Sequence, residues 1–196
     1  VQGVAPACRI YSAKALGDDG SGSDQSIAAA VDWLISCHVH IISMSLGSNA
    51  PSPLINAAID RATSQGIDVV VAAGNSGPNP NTQEWPSRHP AAIAVAAVDE
   101  NGQIASFSSR GPHIAIAAPG VNILSTFKGK SYARLSGTSM ATPFVAACIA
   151  LARSAGDKRP AVQILKEAAL SRDDTSSYGW GLVNPIALIK APQAPP

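Results

Sequence analysis

The chain has 196 residues, with 14 Lys+Arg against 13 Asp+Glu and a formal net charge of +1. Hydrophobic residues make up 46% and charged residues only 14%, which excludes a disordered chain, because disorder needs low hydrophobicity and high net charge. The lack of a basic excess argues against nucleic acid as a partner, and no apolar run approaches the roughly 18 residues of a membrane span. The length suits one domain, or one and a half. Aromatic residues are only 5%, so Ala, Ile, Val and Leu carry the apolar content, as buried parallel strands and close-packed helices require.

The elements follow in chain order. Ala7 to Leu16 reads as a strand, and Gly17-Asp-Asp-Gly-Ser-Gly22 as the turn after it. Ser23 or Asp24 is placed to cap a helix whose apolar face is Ile27, Val31, Leu34 and Ile35. Val39 to Ser45 is a short β-branched run, hence a buried strand. A second helix starts near Pro53, which suits a first turn, with Leu54, Ala57, Ala58, Ile59 and Ala62 as its face and Gly66 as its stop. Ile67 to Ala73 is a strand, residues 78–90 are loop, and Ala91 to Val98 and Val121 to Thr126 are further strands. Ser139 to Ala155, Pro160 to Leu170 and Asn184 to Lys190 read as helices, and residues 191–196 as a Pro-rich tail.

Alternating strands and helices with short loops predict an α/β fold, a mostly parallel sheet with helices on both faces. Ligands in such sheets bind at the carboxyl ends of the strands. The Gly-rich segments at 17–22, 45–49 and 74–77 all follow predicted strands, so they are expected to converge on one edge.

Two segments carry chemistry. In Leu135-Ser-Gly-Thr-Ser139-Met-Ala-Thr-Pro143 a Gly-Thr turn delivers a serine to the start of an apolar helix. The N–H groups there have no helical acceptor, and the helix dipole favours negative charge. A serine so placed has an exposed hydroxyl beside an anion site, the two things acyl transfer needs. An isolated serine at a helix start would be read simply as an N-cap. In Val69-Val-Val-Ala-Ala-Gly74-Asn75-Ser-Gly77 a strand ends in Gly-Asn-x-Gly. A side-chain amide held there is able to donate to an oxyanion, or Asn75 is only a turn residue.

Taken together, these segments resemble the subtilisin-like serine proteases (subtilases). Gly137-Thr-Ser-Met-Ala-Thr-Pro143 is similar to that family's nucleophile motif, and Ala72-Ala-Gly-Asn-Ser-Gly77 to its oxyanion-hole motif. Gly3-Val-Ala-Pro6, Ser43-Met-Ser-Leu-Gly47, Ser106-Phe-Ser-Ser-Arg-Gly-Pro112, Ala118-Pro-Gly-Val121 and Tyr178-Gly-Trp-Gly-Leu-Val-Asn184 follow in the family's order. The resemblance implies that Ser139 is the nucleophile and that Asn75 and the Ser139 N–H hold the oxyanion. It implies that Ser45, Leu46 and Gly47 run against the substrate, with Ser21 and Gly22 on its other edge. Ala72, Ala73 and Gly74 would wall the pocket for the residue preceding the scissile bond. The expected activity is endopeptidase hydrolysis through a Ser acyl-enzyme. A peptide-binding pseudoprotease without a base is the alternative, and a hydrolase with a substituted base a third reading.

The family's Asp and His motifs do not occur in this chain, and family order puts both before Gly3. Residues 1–190 are therefore expected to be the C-terminal portion of a catalytic domain. The expected partners are an N-terminal fragment carrying Asp and His, a polypeptide substrate and an inhibitory propeptide, with no nucleic acid and no membrane. The initial Val fits a processed or cut chain. The chain is expected to fold poorly alone, since the Asp-bearing strand belongs inside the family's sheet. None of His38, His40, His89 and His113 matches the family's catalytic histidine. His38 and His40, two apart, share a face, and a solvated strand start is the preferred reading over a metal site.

Further departures concern specificity. Glu84, before Trp85-Pro86, falls where relatives have a small residue at the base of the specificity pocket. If it lines that pocket, a substrate Lys or Arg is favoured by charge pairing; otherwise it is a solvated loop glutamate. The Trp85–Pro86 bond aligns with one that is cis in relatives. Asp24 replaces an aromatic residue over a hydrophobic subsite, unless it is only a cap. No cofactor is expected in this chain. Calcium would belong to the part before Gly3, and a weaker family calcium site, at His113 and Ala115, is expected to be lost. Oxidation of Met140, beside the nucleophile, would slow turnover. The three Cys (Cys8, Cys37, Cys148) have no metal spacing, and buried thiols are favoured over one bridge plus a free thiol. Low charge and the family's habit point to secretion, while three Cys leave an intracellular form open.

Overall fold

A computed structural model of the chain describes residues 1–79 and 84–190. The tail at 191–196 and part of the 78–90 loop lie outside the described residues. Four strands, β1 (Ile41–Met44), β2 (Asp68–Ala72), β3 (Ile93–Val98) and β4 (Ile114–Pro119), form one parallel sheet in the order β1-β2-β3-β4. β5 (Ile123–Phe127) and β6 (Ser131–Leu135) form a separate antiparallel hairpin. The helices are α1 (Asp24–Ser36), α2 (Pro53–Ser64), α3 (Thr138–Ser154), α4 (Ala161–Ala168), α5 (Thr175–Tyr178) and α6 (Pro185–Lys190).

Helices cover both faces of the sheet, and the period-2 alternation of the strands decides which side chain meets which helix. Val69 and Val71 point toward α1 and α2, packing with Ile42, Met44, Ile55 and Ile59. Val70 points the other way, with Val95, Ile116 and the α3 residues Val145 and Ile149. Both strand faces are buried, so β2 and β3 read as unbroken apolar runs.

Local signals place the helix ends. Ser23 caps α1 in a reciprocal capping box with Ser26, which settles Ser23 over Asp24. Ser52 caps α2, Pro53 occupies its first turn, and Gly66 follows its end with φ +77°. The buried face of α2 is Ile55, Ala58, Ile59 and Ala62, whereas Leu54 and Ala57 face solvent. α3 runs antiparallel to β2. Arg153, in its last turn, pairs with Asp68 at the start of β2 at 2.9 Å, so the start of α3 lies at the carboxyl edge of the sheet.

Residues 7–16 form no strand. A strand is held by its ladder, and among the described residues β1 pairs only with β2. The segment instead lies along α1, where Ser26 Oγ donates to the Ala15 carbonyl at 2.9 Å and the rings of Tyr11 and Trp33 meet edge-on at 6.5 Å. Ile10 is 86% exposed. The Gly17–Gly22 turn therefore does not close a sheet strand but leads into α1, while the 45–49 and 74–77 segments follow β1 and β2. β4 and β6 are additional to the sequence reading. β4 is half alanine, which carries little strand signal.

Candidate active site

Ser139 is the second residue of α3, and Gly137 precedes the helix with no side-chain cap. The turn is anchored from behind. Gly137 N–H donates to the Gly120 carbonyl at 2.8 Å, and Gly120 N–H to the Val98 carbonyl at 2.9 Å. A Cβ on Gly120 would lie 2.6 Å from Ala97 Cβ and 2.8 Å from the Gly137 carbonyl oxygen. Only glycine fits this crossing, which holds the start of α3 against the ends of β3 and β4.

Asn75 lies just past β2. Its Oδ1 accepts from Thr138 N–H at 2.9 Å and from Thr138 Oγ1 at 3.1 Å. Thr138 Oγ1 in turn accepts from Gly74 N–H at 3.1 Å. Both oxygen lone pairs are used, so the orientation of the amide is determined by its partners. Nδ2 faces the other way, 3.6 Å from where a Cβ on Gly137 would stand. The side-chain N–H groups of Asn75 and the first-turn N–H of Ser139 thus share one recess, a donor pair of the kind an oxyanion needs. Thr138 is fully buried, and sequence reasoning missed its role. A threonine at the first helical position, beside a suspected nucleophile, was the available signal.

A second tie crosses from β1. Ser45 Oγ donates to the Ser139 carbonyl at 2.8 Å, and Ser139 Oγ lies 3.5 Å from the Ser45 carbonyl. Four residues on, Pro143 has no N–H to give that Ser139 carbonyl. The helix thus leaves one acceptor open, and Ser45 fills it.

Leu46 and Gly47 continue from Ser45, and Ser48 pairs with Trp85 through bonds of 2.8 and 2.9 Å. Ala72 and Ala73 are buried at the end of β2. Between Gly47 and Gly74 stands Glu84, half-buried. Its Oε2 occupies the space a Cβ on Gly74 would take and lies 4.0 Å from the Cβ position of Gly47. Ser109 Oγ donates to Glu84 Oε1 at 2.9 Å and accepts from Ser76 N–H at 3.1 Å. Glu84 is therefore held beside Gly74 by Ser109, a residue the sequence reading missed. The Trp85–Pro86 peptide is cis.

The turn bearing Ser21 and Gly22 is closed on itself, with Ser21 bonded to Asp19 and Gly17 N–H to the Ser21 carbonyl at 2.7 Å. Among the described residues no hydrogen bond joins it to Ser139 or Asn75.

No histidine is bonded to Ser139 among the described residues. His89 is buried, accepting from Ala91 N–H at Nδ1 and facing Asp60 through Nε2 at 3.3 Å. His113 is held below the ordinary imidazole value, first by burial and then by the charge of Arg88. His38 and His40 are exposed. The side chains of His113 and Ala115 do not suit a calcium ion, which takes oxygen ligands: one offers a ring nitrogen and the other no donor atom. Among the described residues no group of three His, Cys, Asp or Glu side chains is placed to hold a metal. All three cysteines are free thiols.

Comparison with known proteins identifies a family and similar chains. A model of the subtilase family matches residues 1–181. Subtilisin Savinase from Lederbergia lenta is 46% identical over 187 residues, covering 94% of this chain and 69% of that protein. An alkaline protease from Shouchella clausii is 46% identical over the same length, but the chain spans only 49% of it. Among solved structures, the prenylagaramide maturation protease PagA superposes with a TM-score of 0.76 at 25% identity, covering 89% of this chain and 69% of that one.

Proposed function

This chain belongs to the subtilase family, and on that premise we propose that it supplies the nucleophile half of a serine endopeptidase active site. Ser139 Oγ attacks the carbonyl carbon of a scissile peptide. Its proton passes to a base, and the carbonyl oxygen becomes an oxyanion held by Asn75 Nδ2–H and Ser139 N–H. The C–N bond then breaks, the amine leaves with the proton, and water hydrolyses the acyl ester by the same steps in reverse order. The observation that carries this reading is the double hydrogen bond from Thr138 to Asn75 Oδ1. It turns the amide donor toward the Ser139 recess before any substrate arrives, so little reorganisation is needed during reaction.

The base is proposed to come from the family's Asp- and His-bearing segment, as part of the same protease or as a separate fragment. The pairing of β1 with β2 alone among the described residues and the exposure of Ile10 support a partner along that side. Ser45, Leu46, Gly47, Ala72, Ala73 and Gly74 are proposed to line the substrate cleft, with Ser21 and Gly22 on its far edge. An inhibitory propeptide is a further proposed partner, and calcium is assigned to the part before Gly3. No described helix is long and apolar enough to cross a membrane; secretion is proposed from the family's habit and the low charge.

The test is labelling by a fluorophosphonate probe. Full protease bearing the Asp and His segment is expected to label at Ser139, and Ser139→Ala to abolish it. Residues 1–196 alone are expected to label only after that segment is added. Absence of labelling in the full protease would favour the peptide-binding module.

A further inference from the structure

We propose that Glu84 makes this cleft selective for peptides carrying Lys or Arg immediately before the scissile bond. The inference rests on Ser139 being the nucleophile. Asn75 and Ser139 N–H fix where the carbonyl of a bound peptide sits, and the side chain of the acyl residue branches one bond away. Gly74 adjoins Asn75, and Gly47 lies two residues beyond Ser45, whose carbonyl is 3.5 Å from Ser139 Oγ. The gap between these two glycines is the nearest recess for that side chain.

The Glu84 carboxylate closes this gap. Its Oε2 fills the space above Gly74 that any Cβ would take, and φ at Gly74 is +110°, a conformation L side chains rarely adopt. The position is held from two sides. Trp85, the next residue, is locked to Ser48 by two backbone bonds. Ser109, itself buried, gives its hydroxyl proton to Oε1 while accepting from Ser76 N–H. Oε1 is thus committed, and Oε2 is turned toward the gap. Among the described residues Glu84 makes no ion pair. His113 lies within reach of its charge, but burial and Arg88 press that ring toward the neutral form.

An apolar side chain entering this gap would strip water from a carboxylate and return no partner. A cationic side chain would supply a charge-assisted bond, worth about tenfold or more in selectivity.

The experiment uses the full protease and peptidyl diphenyl phosphonates that differ only in the acyl-side residue: Lys, Arg or Leu. Labelling rates at Ser139 are expected to favour Lys and Arg over Leu by about tenfold or more. Glu84→Gln keeps the shape and the acceptor for Ser109 while removing the charge, and is expected to erase most of that ratio. Faster labelling by the Leu probe in the wild type, or an unchanged Lys-to-Leu ratio in Glu84→Gln, overturns the proposal while leaving Ser139 as nucleophile. Labelling that survives Ser139→Ala overturns the nucleophile assignment and this inference with it.

Discussion

The Ser139 carbonyl takes its hydrogen bond from the Ser45 hydroxyl, at 2.8 Å, and not from its own helix. Pro143 creates the opening, since its ring nitrogen has no proton for the carbonyl four residues earlier. A helix defect is thereby converted into a tie between Ser45, just past β1, and Ser139. Ser45→Ala is expected to lower stability by about 1 kcal/mol and to slow fluorophosphonate labelling of Ser139 in the full protease. Thermal melts and labelling rates together check this; a change in melting without a change in labelling would make the tie structural only.

Thr138 holds Gly74, Asn75 and the helix start with one hydroxyl and one N–H. Thr138→Val keeps the shape but leaves the buried Gly74 N–H without its partner, at about 1–3 kcal/mol. It also removes one of the two bonds that orient the Asn75 amide. A fall in kcat with KM little changed is expected, with Thr138→Ser restoring most of it. A KM effect alone would argue that Thr138 shapes substrate binding instead.

Asn75→Leu tests the oxyanion donor directly. The expected loss is that known for the corresponding kind of donor in subtilisin, about 10²–10³ in kcat, with KM nearly constant. A loss below tenfold would remove Asn75 from the oxyanion site.

Gly74→Ala would place a methyl group where the Glu84 carboxylate stands, on a backbone with φ +110°. Destabilisation of at least about 1 kcal/mol is expected from the backbone alone. The Lys-to-Leu labelling ratio is also expected to fall, as the carboxylate is pushed from the gap.

Burial pushes the Cys148 thiol up from its ordinary 9.0 to about 12. The folded state then holds a proton that the unfolded chain has released. The contribution of this group is complete below pH 9 and is lost as pH rises from about 9 toward 12. At pH 8 iodoacetamide is expected to modify exposed Cys8 and to spare Cys148 until the protein is unfolded. Mass mapping of the labelled peptides checks the order.

Ser139 and Asn75 were legible as linear motifs because each sits where a strand or turn hands over to a fixed local geometry. The parallel sheet was legible for a similar reason: β2 and β3 are apolar on both faces, and only burial under helices on both sides accommodates that. The 7–16 segment, with Arg9, Ser12 and Lys14 among its apolar residues, also reads locally as a strand and is not one here, since a ladder needs a neighbour that local sequence does not specify. Glu84 carried two readings in the sequence, cleft residue or solvated loop. Its position beside Gly74 and Ser109 was not legible, because these come from segments 10 and 25 residues away and are joined only by folding. The sequence by itself determined the family and singled out Ser139 and Asn75 as the expected nucleophile and oxyanion amide; that Glu84 stands over Gly74, and that Thr138 bonds the Asn75 amide, was decided by which distant backbones the sheet brings together.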